Sequence, residues 1–478
     1  MRYPTWTHSL SAYLLIFAFG IQSKALPPPS KNPSPPAAGS ALKFKSAAAQ
    51  KYVVPQKLPL MDFSISQTYA GLMKLSDKPD ETEQLFFWFV PTENPAAAKN
   101  LALWTNGGPG CSSLLGAFQE NGPIMWDQGK PKAVKNPNSW SQASSILYLE
   151  HPVNVGFSTG KAIISNENQV AEYIFKFLTN FLKIFPEMNT ANFYLTGESY
   201  AGMYLSYAAN LIYTRQSELA LKLQGVLFID PVLASSVFQE DLPLYPFVKM
   251  NEDVFKFNAT FMKQLESAHI SCGYAAFLDK FYKYPVPGRF PDITNVNKDP
   301  KCQLWRRMAE AAPDGLDIYN IHHKDGGPDP LDSKHNYLNR PDVRKALNVA
   351  SNAPWERCSN HKNIFPNGDS SSDPTDKVLP DIITKGKRTI VAHGVLDGRL
   401  PLLGMSVGLQ GMTWAGKQGF QKPIDADFMV AGKPHGKFRT ERGLTFVQVA
   451  QAGHMIPHDA PEAALSIFEY LLGNRPSL

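Results

Sequence analysis

The chain has 478 residues, 43% apolar and 19% charged, with a formal net charge of +5. That length supports a large buried core, and these fractions exclude wholesale disorder and a multi-span membrane protein. Lys and Arg are scattered rather than clustered, so nucleic-acid binding has no footprint.

Residues 1–25 read as a secretory signal: Arg2 starts it, residues 10–21 form an apolar run, and Ser23-Lys24-Ala25 offers small residues at cleavage spacing. The run is too short to span a bilayer, and no later segment is longer, so no stable membrane association is expected. Residues 26–67 read as a Pro/Ala-rich lead or propeptide. Within it, residues 26–50, with Pro27-Pro28-Pro29 and Pro35-Pro36, carry too little apolar surface to order themselves.

From 68 to 478 the pattern is that of a globular catalytic domain. Strand-like runs occupy 85–90, 101–104, 146–149, 192–196, 226–229, 389–392 and 444–449. Helical periodicity is clearest over 170–185, where Ala171, Ile174, Phe175, Leu178, Phe181 and Leu182 share a face. Alternating strands and helices predict an α/β fold, a mostly parallel sheet flanked by helices. Residues 235–345 are proline-punctuated and lack clear strands, and read as an inserted cap. Four cysteines in a secreted chain allow three pairings; the favoured one joins Cys272 to Cys302 locally and leaves Cys111 with Cys358. Asn258-Ala259-Thr260 is a glycosylation sequon.

The segment Gly197-Glu198-Ser199-Tyr200-Ala201-Gly202, between a strand and a helix, has the form of a nucleophile elbow. A serine hydroxyl needs an imidazole to take its proton and a carboxylate to fix that imidazole. In an α/β-hydrolase sheet these follow in the order Ser, acid, His. His454, just past the strand at 444–449, is favoured over His435 and His458. Asp397, just past 389–392, is favoured over Asp425 and Asp427, which no strand leads into. The glycine-rich stretch 104–111 is placed to aim bare N–H groups at an oxyanion.

These residues carry a resemblance to the serine carboxypeptidases, secreted or vacuolar enzymes that remove C-terminal amino acids. The matching pieces are Asn106-Gly107-Gly108-Pro109-Gly110-Cys111-Ser112-Ser113, Glu120-Asn121-Gly122-Pro123, Pro152-Val153-Asn154-Val155-Gly156-Phe157-Ser158 and Gly197 to Gly202. Further on come Tyr337-Leu338-Asn339-Arg340-Pro341-Asp342-Val343, the stretch 394–401 and Gly453-His454-Met455-Ile456-Pro457. The resemblance implies a catalytic triad of Ser199, Asp397 and His454, with an oxyanion hole from the N–H groups of Gly108 and Tyr200. It implies that Asn106, Glu198 and the Gly107 N–H hold a substrate's terminal carboxylate, supported by Glu120. The Cys111–Cys358 pairing suits the family's tethering of the glycine-rich loop. Thr105, Met203, Ser206 and Leu149-Glu150-His151 depart from its common pattern.

The expected function is release of C-terminal amino acids from peptides or proteins through an acyl-enzyme on Ser199, favoured in acid and needing neither cofactor nor metal. Two carboxylates in one site cannot both stay ionised cheaply, so Glu198 beside a substrate carboxylate should hold a proton. The alternatives are an acyltransferase with the same triad and a non-catalytic protein on the same scaffold. The expected destination is extracellular or vacuolar.

Overall fold

Gln84–Val90 has six buried side chains in a row, so the strand must be covered on both faces. The computed structural model describes residues 44–161, 164–323, 327–331, 336–350 and 354–478; the expected signal at 1–25 lies outside them. The main sheet has 11 strands. They are β1 (Val53–Val54), β2 (Thr68–Lys74), β3 (Gln84–Val90), β4 (Asn100–Thr105), β5 (Ser145–Glu150), β6 (Asn192–Glu198), β7 (Lys222–Ile229), β8 (Arg388–Gly394), β9 (Ala426–Val430), β10 (Lys433–Glu441) and β11 (Leu444–Val449). Their spatial order is β1-β2-β3-β5-β4-β6-β7-β8-β11-β10-β9. The central strands β5, β4, β6, β7, β8 and β11 run parallel. Antiparallel strands finish both sides.

The period of two sends alternate residues into two separate cores. Leu85, Phe87 and Phe89 of β3 join Leu101, Leu103, Leu147 and Leu149 on one face. Phe86, Trp88 and Val90 join Ala102, Trp104, Ile146 and Tyr148 on the other. Helices α1 (Leu114–Gln119), α2 (Glu167–Ile184) and α3 (Ala201–Thr214) lie between these strands in sequence. The Asn166 side chain caps α2 by accepting from Gln169 N at 3.3 Å, so the helix starts ahead of the 170–185 expectation. Its phenylalanines meet the sheet edge-on: Phe181 lies 5.2 Å from Phe89 between ring centroids.

Residues 44–67 of the Pro/Ala-rich lead pack on the domain, against what the composition of 26–50 implied. Phe44 packs against Tyr69, Phe89 and Phe185, and Val54 pairs with Thr68. Ala49, Val54, Leu58 and Met61 are buried with it, so a few well-seated apolar side chains hold a segment of poor average composition.

Between β7 and β8 the described residues form no strand. They contain α4 (Leu242–Met250), α5 (Ala259–Ser271), α6 (Tyr274–Phe281) and α7 (Leu304–Ala311). These helices share an apolar cluster of their own, including Leu244, Val248, Leu265, Leu278, Leu304 and Met308. Cys272 is bonded to Cys302 within this region.

Candidate active site

Asn106, Ser199, Asp397 and His454 follow the carboxyl ends of the parallel strands β4, β6, β8 and β11, where open α/β sheets bind ligands. Ser199 follows β6 with a φ of 61°, a left-handed conformation uncommon for a non-glycine residue. Two bonds enforce it: Ser199 N donates to Ile229 O at 2.9 Å, and Val232 N donates to Ser199 O at 2.9 Å. A Cβ at Gly197 would strike the Thr105 carbonyl, and one at Gly107 would strike the Tyr200 amide. Bare backbone therefore lets the β4 loop lie against the elbow, bringing Gly107 against Glu198, Tyr200 and Ala201. Cys111 is bonded to Cys358, and the backbone continues the tether through Ser112 N to Arg357 O and Ser359 N to Gly110 O, each 2.9 Å.

His454 and Asp397 meet behind this elbow. His454 Nδ1 lies 2.7 Å from Asp397 Oδ2, and both side chains are buried. Asp397 Oδ1 accepts from Arg399 N at 2.8 Å and Leu400 N at 3.0 Å, which fixes the carboxylate. With Nδ1–H donating to that carboxylate, Nε2 is the basic nitrogen; it is buried and has no protein partner. The loop is held from the helical region: His454 N donates to Tyr319 O at 2.6 Å, and the Tyr319 ring stands 5.2 Å edge-on from the imidazole.

The rival residues are engaged elsewhere. Asp427 pairs with Lys437 at 2.7 Å and Asp425 with Arg439, both on the antiparallel edge that also carries His435. His458 bonds Asp459 at 2.8 Å.

On the other side of Ser199, Asn106 has its amide orientation fixed by two donors. Its Oδ1 accepts from Trp104 Nε1 at 2.8 Å and Gly116 N at 3.2 Å. Its Nδ2 then faces two carboxyls, donating to Glu198 Oε1 at 2.8 Å and Glu120 Oε1 at 3.0 Å. Both glutamates are buried, and their Oε2 atoms have no donor. Burial and the Glu120 charge push Glu198 well above the usual carboxylate range, and burial also raises Glu120. One proton is therefore held within the pair.

Three further groups were not singled out from sequence. Asp459 Oδ2 accepts from Gly453 N at 2.7 Å and Asn320 Nδ2 at 2.8 Å, fixing the residue before His454. Glu167, fully buried at the start of α2, is raised by burial and by Asp369. Asp230, at the end of β7, is buried beside Asp397. Only Asp230 carried a usable signal, being an acid directly after a recognised strand. Nothing local marks Asp459 or Glu167, because an acid in a first helical turn is ordinary.

The serine carboxypeptidase family model matches residues 59–474. The chain belongs to the serine carboxypeptidase family. A carboxypeptidase Y homolog of Arthroderma benhamiae is 35% identical over 441 residues, covering 89% of this chain and 87% of that relative. The serine-type carboxypeptidase F of Aspergillus niger is 33% identical over 466 residues, covering 88% and 87%. In fold, the carboxypeptidase is similar to Kex1(delta)p, a prohormone-processing carboxypeptidase from Saccharomyces cerevisiae, with a TM-score of 0.72 at 23% identity and coverage of 89% and 96%. The fold is that of an α/β-hydrolase. No helix among the described residues is long and apolar enough to cross a membrane.

Proposed function

We propose that Ser199, His454 and Asp397 form the nucleophile, base and orienting acid of a carboxypeptidase that works through an acyl-enzyme. Ser199 Oγ attacks the last peptide carbonyl and passes its proton to His454 Nε2. His454 returns that proton to the leaving amino acid, then activates water to release the acyl group. The N–H groups of Gly108 and Tyr200 receive the oxyanion.

The observation that carries the exopeptidase reading is the Asn106 amide, bonded to two buried carboxyls beside Ser199. On binding, Asn106 would exchange its N–H bond to Glu198 for one to the substrate's terminal carboxylate, joined by the Gly107 N–H and a protonated Glu198, while its other N–H stays on Glu120. Below its raised titration Glu198 donates; above it, two carboxylates repel. Activity on peptide acids therefore falls as pH rises through that titration.

Substrates are peptide or protein C-termini. A secretory route, ending outside the cell or in a vacuole, is supported by the two disulfides and by an exposed Asn258 available for glycosylation. The test is hydrolysis of an N-blocked peptide acid and its amide across pH, by wild type and Ser199→Ala. The expected result is that the acid loses rate at higher pH while the amide does not, and that Ser199→Ala is inactive on both. Superimposable acid and amide profiles would remove the role given to Glu198.

A further inference from the structure

Behind Asp397 lies a second carboxyl that the three-residue scheme does not use. Asp230 directly follows β7, with a φ of 40°, and is fully buried. Its backbone N donates to Ala392 O at 2.9 Å, and its Oδ1 accepts from Gly394 N at 2.8 Å. Asp230, Asp397 and His454 offer polar atoms that all lie within 4.8 Å of one another. Asp230 Oδ2 is buried and receives no donor.

Among the described residues, the groups facing Asp230 supply no cation to hold a second charge. From β8, His393 Nε2 sits 3.4 Å from Asp230 Oδ1, but its hydrogen goes to Leu400 O at 2.6 Å. Burial pushes His393 down to about 4, so it is neutral at ordinary pH. From β6, Glu198 adds only repulsion if ionised. From the loop after β11, His454 already spends its Nδ1–H on Asp397. The Arg399 guanidinium is turned away, 2.6 Å from Glu240 and 4.4 Å over the Trp305 ring. Burial and the Asp397 charge together drive Asp230 well above the usual carboxylate range.

We propose that Asp230 is a positioning residue, a protonated carboxyl that donates its Oδ2–H to Asp397 and tempers the charge Asp397 presents to His454. This rests on the reading of His454 as the base. A bare Asp397 carboxylate favours the charged imidazole strongly, and a charged imidazole cannot take the Ser199 proton. A neutral donor on Asp397 weakens that preference, so the base stays available at lower pH. The buried carboxyl pair thus extends the acid side of the working range without touching substrate.

The experiment compares wild type, Asp230→Asn and Asp230→Ala in two ways. The first readout needs no activity: the infrared difference spectrum of wild type minus Asp230→Asn at neutral pH. A carbonyl-stretch band of a protonated carboxyl is expected, and its absence would overturn the proposal. The second is the acid limb of kcat/KM on an N-blocked peptide. Asp230→Asn keeps a donor for Asp397 and an acceptor for Gly394 N, so its limb should coincide with that of wild type. Asp230→Ala should move the limb up by roughly half a pH unit or more. An unmoved limb in Asp230→Ala, or an equal shift in Asp230→Asn, would also overturn it. If Asp230→Ala does not fold, the band and the Asp230→Asn limb still decide. Inactivity of every variant together with wild type would instead count against the functional reading, leaving the infrared result intact.

Discussion

The two sides of Ser199 treat carboxyl groups in opposite ways. On the base side, Asp397 receives the Arg399 and Leu400 amides on one oxygen and the His454 imidazole on the other. On the substrate side, Glu198 and Glu120 share a single amide from Asn106, and an oxygen on each has no donor. Both sites are buried, so burial alone does not separate them. The count of fixed donors does: Asp397 is met on both oxygens, whereas the two glutamates lack donors and are driven above the usual carboxylate range. The same contrast recurs one layer back, where Asp230 lacks the donors that Asp397 has.

The widest break in this comparison comes from the base side. Asp397→Asn should leave the fold intact and lower kcat by roughly 10⁴-fold, because the amide cannot hold His454 in the required tautomer. On the protonated side the effect is smaller and depends on substrate. Glu198→Ala should cost about 1.5–3 kcal/mol in kcat/KM for peptide acids, the worth of a hydrogen bond to a charged group, and little for amides. Asp459→Ala frees the Gly453 amide next to His454, so kcat should fall about tenfold with KM unchanged. Steady-state kinetics on a matched acid and amide would read all three.

The smallest effect is on stability and concerns Glu167. It holds a proton in the folded protein and is ionised at neutral pH when unfolded, so stability falls as pH rises from the ordinary carboxyl range through its raised titration. Glu167→Gln should therefore be more stable than wild type near pH 7 by about 1 kcal/mol, one pKa unit being worth about 1.4 kcal/mol. The difference should vanish at about pH 4. Urea unfolding at the two pH values would measure it, and an equal stability difference at both would contradict the assignment.

Much of the fold was legible because the strand runs are long, apolar and bounded by turns. Those at 85–90 and 444–449 fall within β3 and β11, and 101–104 and 226–229 lie within β4 and β7. The antiparallel β9–β10 hairpin was missed, because its edge position leaves it half-exposed and polar, as Lys433–Glu441 illustrates. Ser199, His454 and Asp397 were placed by strand-end logic, and the structure brings the last two into contact. Asp230 met the same logic but had no part in a three-residue scheme. Tyr319 and Asn320 were invisible, because they reach the His454 loop only through tertiary packing. Phe44 shows the limit of composition: with Ala49, Val54, Leu58 and Met61 it seats in the core a stretch whose average composition is poor in apolar surface.

The central claim is that His454, oriented by Asp397, makes Ser199 a nucleophile. Its most direct test is reaction with an organophosphorus or sulfonyl fluoride reagent, followed by intact-mass measurement and peptide mapping. Wild type should take up one equivalent, on the peptide carrying Ser199, in step with loss of hydrolysis, and His454→Ala should react far more slowly. Full inactivation with the label on another residue, or hydrolysis that persists after Ser199 is fully modified, would contradict the account.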